Sequence, residues 1–115
     1  MKYLIKESKV LSILEKYLND IEWAVVDYDE WDMTRLFFKG QTNIANDAIF
    51  ESYTEEEEEE EYDEGDYKRV LLVRRAFFMK LKSLFGLSTK ELSRFLLVWY
   101  KSYTNEDVES FNFID

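Results

Sequence analysis

The chain has 115 residues, 46% of them hydrophobic and 17% aromatic, with a net charge of −10 and no Cys, His or Pro. That length fits one domain around one core, taken as residues 1–115, and the apolar fraction is too high for a disordered chain even at this charge. Lacking thiol and imidazole groups, it excludes disulfides, zinc fingers, Cys nucleophiles and Ser-His-Asp triads, and no run approaches the length of a membrane-spanning helix.

The opening Met1-Lys2-Tyr3-Leu4-Ile5-Lys6-Glu7 regains charge after three apolar residues, short of a signal-peptide core, so a cytoplasmic location is expected. From Ser8 to Ile21 the residues Val10, Leu11, Leu14, Tyr17, Leu18 and Ile21 recur at the helical period and predict an amphipathic helix. Trp23–Tyr28 and Met33–Phe38 are β-branched or aromatic runs divided by Asp29-Glu30-Trp31-Asp32, which predicts a β-hairpin ending at Gly40. Asn43–Tyr53 fits a short helix capped by Thr42 or Asn43, with a strand through Ala48-Ile49-Phe50 as the alternative.

Charge then becomes sharply uneven. Residues 51–67 hold eleven acids and no base, whereas residues 68–103 hold nine bases and Glu91 alone against them. Glu55, Glu56, Glu57, Glu58, Glu59, Glu60 and Glu61 are contiguous and repel one another at every helical spacing, so a solvated acidic loop is expected at about 54–66. Over Lys68–Phe85 no Gly or Pro interrupts the chain, which favours one continuous helix; a strand through Val70-Leu71-Leu72-Val73 is the alternative.

Punctuation after that is clear. Gly86 suits the left-handed position that ends a helix, Ser88-Thr89-Lys90-Glu91 is a capping box, and Leu87 with Leu92 forms a hydrophobic staple. A helix over Thr89–Tyr103 follows, with Leu92, Phe95, Leu96, Trp99 and Tyr103 as its buried stripe. The alternation of Phe111 and Phe113 favours a final strand over a short helix at Thr104-Asn105-Glu106-Asp107. The expected fold is α+β: a small antiparallel sheet packed against an N-terminal helix and a C-terminal helical hairpin, with an all-α domain as the alternative.

Gly40, Gly65 and Gly86 are too far apart to form a phosphate-holding loop. Asp27, Asp29 and Asp32 miss the calcium-loop pattern, which needs Gly where Asp32 stands and an acid where Phe38 stands. The triplets Asp66-Tyr67-Lys68 and Glu7-Ser8-Lys9 have the carboxylate-x-lysine spacing of some Mg²⁺-dependent nucleases, a spacing that arises by chance in so charged a chain. No cofactor and no metal are expected.

The acidic tract fits a solubilising loop, a screen over the adjoining basic helices, or a DNA mimic, although mimicry wants carboxylates spaced along a rigid face. The overall negative charge opposes direct nucleic-acid binding by the basic segment. Trp31 in its polar turn and the cluster of Trp99, Tyr100 and Tyr103 are candidate anchors for a protein partner, because Trp and Tyr dominate interface hot spots; core packing is the competing role for Trp99.

The opening residues through Ser8, leading into a Leu-rich helix, together with Leu84-Phe85-Gly86-Leu87-Ser88 before a helix containing Trp99, resemble small proteins of tailed bacteriophages. That resemblance covers about a third of the chain and implies a viral accessory or virion component. The function expected is therefore non-enzymatic protein–protein interaction. A DNA-mimic inhibitor is the main alternative and a Mg²⁺-dependent nuclease the third.

Overall fold

The computed structural model describes residues 2–28, 30, 32–40, 47–56 and 67–114. Helix α1 spans Lys2–Asp20, starting earlier than the pattern from Ser8 implied. Its predicted stripe is its inner face: Leu14 and Leu18 have no exposed surface, and Val10, Leu11, Tyr17 and Ile21 pack beside them. Strands β1 (Trp23–Tyr28) and β2 (Met33–Phe38) form the expected hairpin, paired residue for residue from Trp23 opposite Phe38 to Tyr28 opposite Met33.

Strand β3 (Phe50–Glu56) replaces the helix expected to reach Tyr53. Its entry is held on both sides, Ile49 N donating to Leu36 O at 2.9 Å and Arg74 N donating to Ile49 O at 2.8 Å. The proposed caps Thr42 and Asn43 lie outside the described residues. Because β3 runs on to Glu56, the first three residues of the expected 54–66 loop are strand; residues 57–66 lie outside the described set.

The continuous helix over 68–85 is also overturned. Strand β4 (Tyr67–Arg74) passes directly into helix α2 (Arg75–Phe85). Val70 and Leu71 project to opposite faces of the sheet and are 6% and 0% exposed. A strand buried on both faces reads as an unbroken apolar run, which also fits a helix. Helix α3 (Thr89–Thr104) follows the predicted capping box: Ser88 Oγ accepts from Glu91 N, and Glu91 Oε1 accepts from Ser88 N. Strand β5 (Ser110–Ile114) completes the chain.

The sheet order is β1-β2-β3-β4-β5. The first four strands are antiparallel, but β5 lies parallel to β4, so the sheet is mixed and the α+β class stands. The physical reason is the connection: α2 and α3 carry the chain back across one face, the kind of long crossover that parallel neighbours require. On that face Leu36, Phe50, Val73 and Phe113 align across four strands, and Leu14, Leu18, Phe78, Leu81, Leu92 and Leu96 pack onto them. Trp23 is the aromatic hub of this core, with ring centroids 5.4 Å from Phe38 and Phe50, 6.0 Å from Phe77 and 5.9 Å from Trp99.

Candidate functional site

Over the next two rows towards the β1–β2 turn, the same sheet face becomes polar at Asp27, Thr34 and Ser52 and then at Thr54 and Arg69. Asp27 pairs with Thr34, Thr34 with Ser52, and Thr54 with Arg69 across adjacent strands. Segments beyond the sheet complete this end. Arg69 lies 3.2 Å from Asp32 Oδ2, and its Nε lies 3.0 Å from Glu106 Oε2, off the line of a hydrogen bond, so that contact is ionic. Thr34 Oγ1 is 2.9 Å from Asp27 Oδ1 and 3.1 Å from Glu106 Oε1. A hydroxyl has one proton and satisfies one of those carboxylates at a time.

The Thr54 hydroxyl, and after it the Arg69 guanidinium, hold the Asp32 carboxyl below its ordinary value of 3.8. A recess of about 260 Å³ opens here, lined by Asp27, Tyr28, Asp32, Met33, Thr34, Arg69 and Glu106. Its cation is already matched by two carboxylates, which leaves little attraction for a phosphate. Among the described residues no group of three or more Asp or Glu side chains is placed to hold a metal ion. The arrangement ties the first hairpin, β4 and the segment after α3 into one network.

A groove of about 370 Å³ between α1 and α3 is lined by a mixture of polar and apolar side chains. Glu15 and Asn19 of α1 face Phe95, Val98, Trp99, Ser102 and Tyr103 of α3 across it. Trp99 Nε1 donates to Asn19 Oδ1 at 2.9 Å, which fixes the ring as the floor, and Tyr103 stacks on it with centroids 5.0 Å apart. Val98 is 69% exposed and Tyr103 41% exposed. An exposed aromatic beside an exposed aliphatic side chain is a candidate contact point for a partner, since aromatic residues dominate interface hot spots.

The structure sorts the sequence-based anchors unevenly. Tyr100 is fully buried, its hydroxyl 2.8 Å from Ser52 Oγ in β3, and has no surface for a partner. Trp99 is 5% exposed and belongs mainly to the core, touching the groove along one side. Tyr103, expected in the buried stripe, is the exposed aromatic: the sheet lies on the Leu96 and Tyr100 side of α3, and this turns Tyr103 towards solvent. Trp31 and Glu57 through Glu61 lie outside the described residues, while Glu55 and Glu56 belong to β3. Of the nuclease triplet, Lys68 stands in β4 opposite Glu55, and Asp66 lies outside the described set.

Val98 was not among the sequence-based candidates. A signal was present in the run Phe95-Leu96-Leu97-Val98-Trp99-Tyr100, six apolar residues in a row on a helix. Such a run turns through more than one face, so a helix lying on a sheet must leave part of it outward. No protein-family model, curated protein or solved structure matches this chain. Among the described residues no helix is long and apolar enough to cross a membrane.

Proposed function

We propose that this chain acts by binding another protein, without catalysis, and that the α1–α3 groove is its contact site. The observation that carries the reading is the exposed pair Val98 and Tyr103 beside the Trp99 floor. An aromatic stack with an aliphatic neighbour supplies the rigid, desolvatable surface on which interface hot spots are built. The ion pairs at the polar end of the sheet support the same reading, since they use Arg69, Asp32 and Glu106 to join elements of the fold. The resemblance to tailed-bacteriophage proteins extends the proposal to a viral accessory or structural protein working in the host cytoplasm or the virion.

The test is a double variant, Val98→Ser with Tyr103→Ala, in the full chain. Val98→Ser, at an exposed site, should cost no more than about 0.5 kcal/mol, and loss of the Tyr103 stack on Trp99 about 0.5–1.5 kcal/mol, so the variant should stay folded with a modestly lower unfolding midpoint. Loss of a bound partner in affinity capture by the still folded variant is the expected result. Undiminished capture by the variant would refute the assignment of the groove, and Mg²⁺-dependent DNA cleavage by the purified natural chain would refute the non-catalytic reading.

A further inference from the structure

Among the described residues, backbone hydrogen bonding leaves one side of β1 unused. Lys39 N donates to Glu22 O at 3.1 Å, and the β1–β2 register continues from there with Trp23 opposite Phe38. Bonded pairs alternate in an antiparallel ladder. Ala24, Val26 and Tyr28 therefore bond to β2, while the N–H and C=O groups of Trp23, Val25 and Asp27 point away from it. β1 is the first strand of the sheet, and among the described residues no hydrogen bond reaches those outward groups.

An edge of this kind is a template for another strand, and proteins ordinarily blunt it with Lys, Pro, a bulge or a covering element. The sequence of β1, Trp-Ala-Val-Val-Asp-Tyr, contains neither Lys nor Pro. It pairs without a bulge over its whole length and leaves Val25 48% exposed at its centre. At the opposite edge β5 is shorter, and Asn112 Oδ1 already accepts from the Phe113 N–H.

Charge selects the occupant. Asp20 and Glu22 precede one end of β1, Asp27 and Glu30 stand at the other, and all four are exposed. Lys39 opposes Glu22 at 2.9 Å, in a pair more than 70% exposed on both sides and weakened accordingly by solvent. A second copy of this chain would bring the same acids to both ends and its own net charge of −10. We propose that the free edge of β1 is a strand-addition site for an extended segment of a partner protein, β-branched and apolar at its centre and basic at both ends. The proposal rests on the protein-binding reading and adds to it a mode of contact and the chemistry of the partner; it does not use the α1–α3 groove.

The experiment uses the full chain and three synthetic peptides sharing a Val-Thr-Val-Thr-Val centre: one with lysines at both ends, one with glutamates, and a Lys-ended one N-methylated at alternate residues. The Lys-ended peptide should bind about tenfold more tightly than the Glu-ended one at low ionic strength, with the gap closing as salt is added. N-methylation, which removes the donors of one peptide edge, should abolish binding. On binding, the amides of Trp23, Val25 and Asp27 should gain protection from exchange while Ala24 and Val26 stay as they were. Val25→Pro removes an outward N–H that β2 does not use, so it should keep the fold and lose the peptide. Should that variant fail to fold, the N-methylated peptide carries the test on the natural chain.

No binding of the Lys-ended peptide, equal binding of its N-methylated form, or a dimer protecting the same three amides without peptide would overturn the proposal. Capture of a partner that survives Val25→Pro and is lost with Val98→Ser and Tyr103→Ala overturns the edge and leaves the groove reading intact. Peptide binding with the predicted amide pattern, unchanged in that groove variant, supports the edge by itself.

Discussion

The Tyr100 hydroxyl and Ser52 Oγ meet 2.8 Å apart in a place where both residues have no exposed surface. Burial pushes the Tyr100 phenol well above its ordinary value of 10.0, and the Ser52 hydroxyl, able to donate to a phenolate, offsets only part of that rise. Above the unfolded value the native chain therefore binds more protons than the unfolded one, and stability falls as pH rises. The contribution is whole below about pH 10 and should decline above it by up to about 1.4 kcal/mol per pH unit. Denaturant midpoints across that range, with the phenolate absorbance that Tyr100→Phe removes appearing only on unfolding, check this expectation. Tyr100→Phe should cost about 1–3 kcal/mol by leaving Ser52 Oγ unpaired, and adding Ser52→Ala should recover part of it. A double variant no more stable than Tyr100→Phe alone would show that the pair does not carry this energy.

At the scale of elements, the turn between α2 and α3 contains the most local information. Gly86 holds φ +63°, and both its N–H and that of Leu87 turn back to Lys82 O, closing α2 before Ser88 opens α3. A Cβ at Gly86 would meet nothing within 4 Å, so Gly86→Ala is opposed by backbone strain alone, about 1–2 kcal/mol. Ser88→Ala should cost about 1 kcal/mol by leaving the Glu91 amide without its cap. Thermal unfolding of the two single variants and the double one checks both, and a neutral Gly86→Ala would mean that the turn relaxes to another conformation. These residues were legible in the sequence because their effects are local: the chemistry of a cap or a left-handed glycine acts within one turn of chain. The β1–β2 hairpin was legible for a related reason, two matched runs separated by a four-residue segment with three acids. By contrast, β3 and β4 are settled by partners distant in sequence. Phe50 becomes strand because Leu36 and Val73 stand on either side of it, and Val70 through Val73 form a strand because β3 and β5 flank them. No local residue announces the change at Arg74, where Nε donates to Ala48 O at 2.8 Å and replaces the missing side-chain cap as the anchor of the junction. The groove was half legible: the aromatic cluster lies on the helix that lines it, but only the direction of the sheet decides that Tyr100 turns inward and Tyr103 outward.

Across the whole molecule, charge is divided between a stretch with eleven acids and a stretch with nine bases, and the fold uses the two differently. Arg69 and Arg74 are drawn into contacts with Glu106, Asp32 and Ala48, so the basic stretch does not form one uniform cationic face. Most of the net charge resides in the segment joining β3 to β4. Arg74 N bonding to Ile49 O sets the alternation of that ladder, which makes Glu55 and Lys68 a hydrogen-bonded pair of opposite charge. A two-residue Asn-Gly turn closes on a pair of this type. Replacing residues 56–67 by Asn-Gly removes nine carboxylates and takes the net charge from −10 to −1. Because a compact chain concentrates its like charges, relief of that self-repulsion should raise the thermal midpoint at low ionic strength by about 4–8 °C, equivalent to about 1 kcal/mol for a domain of this size. Added salt screens the natural chain more than the variant, so the two midpoints should converge as ionic strength rises. A variant that melts lower at every salt concentration would show instead that residues 56–67 supply contacts on which the β3–β4 pairing depends.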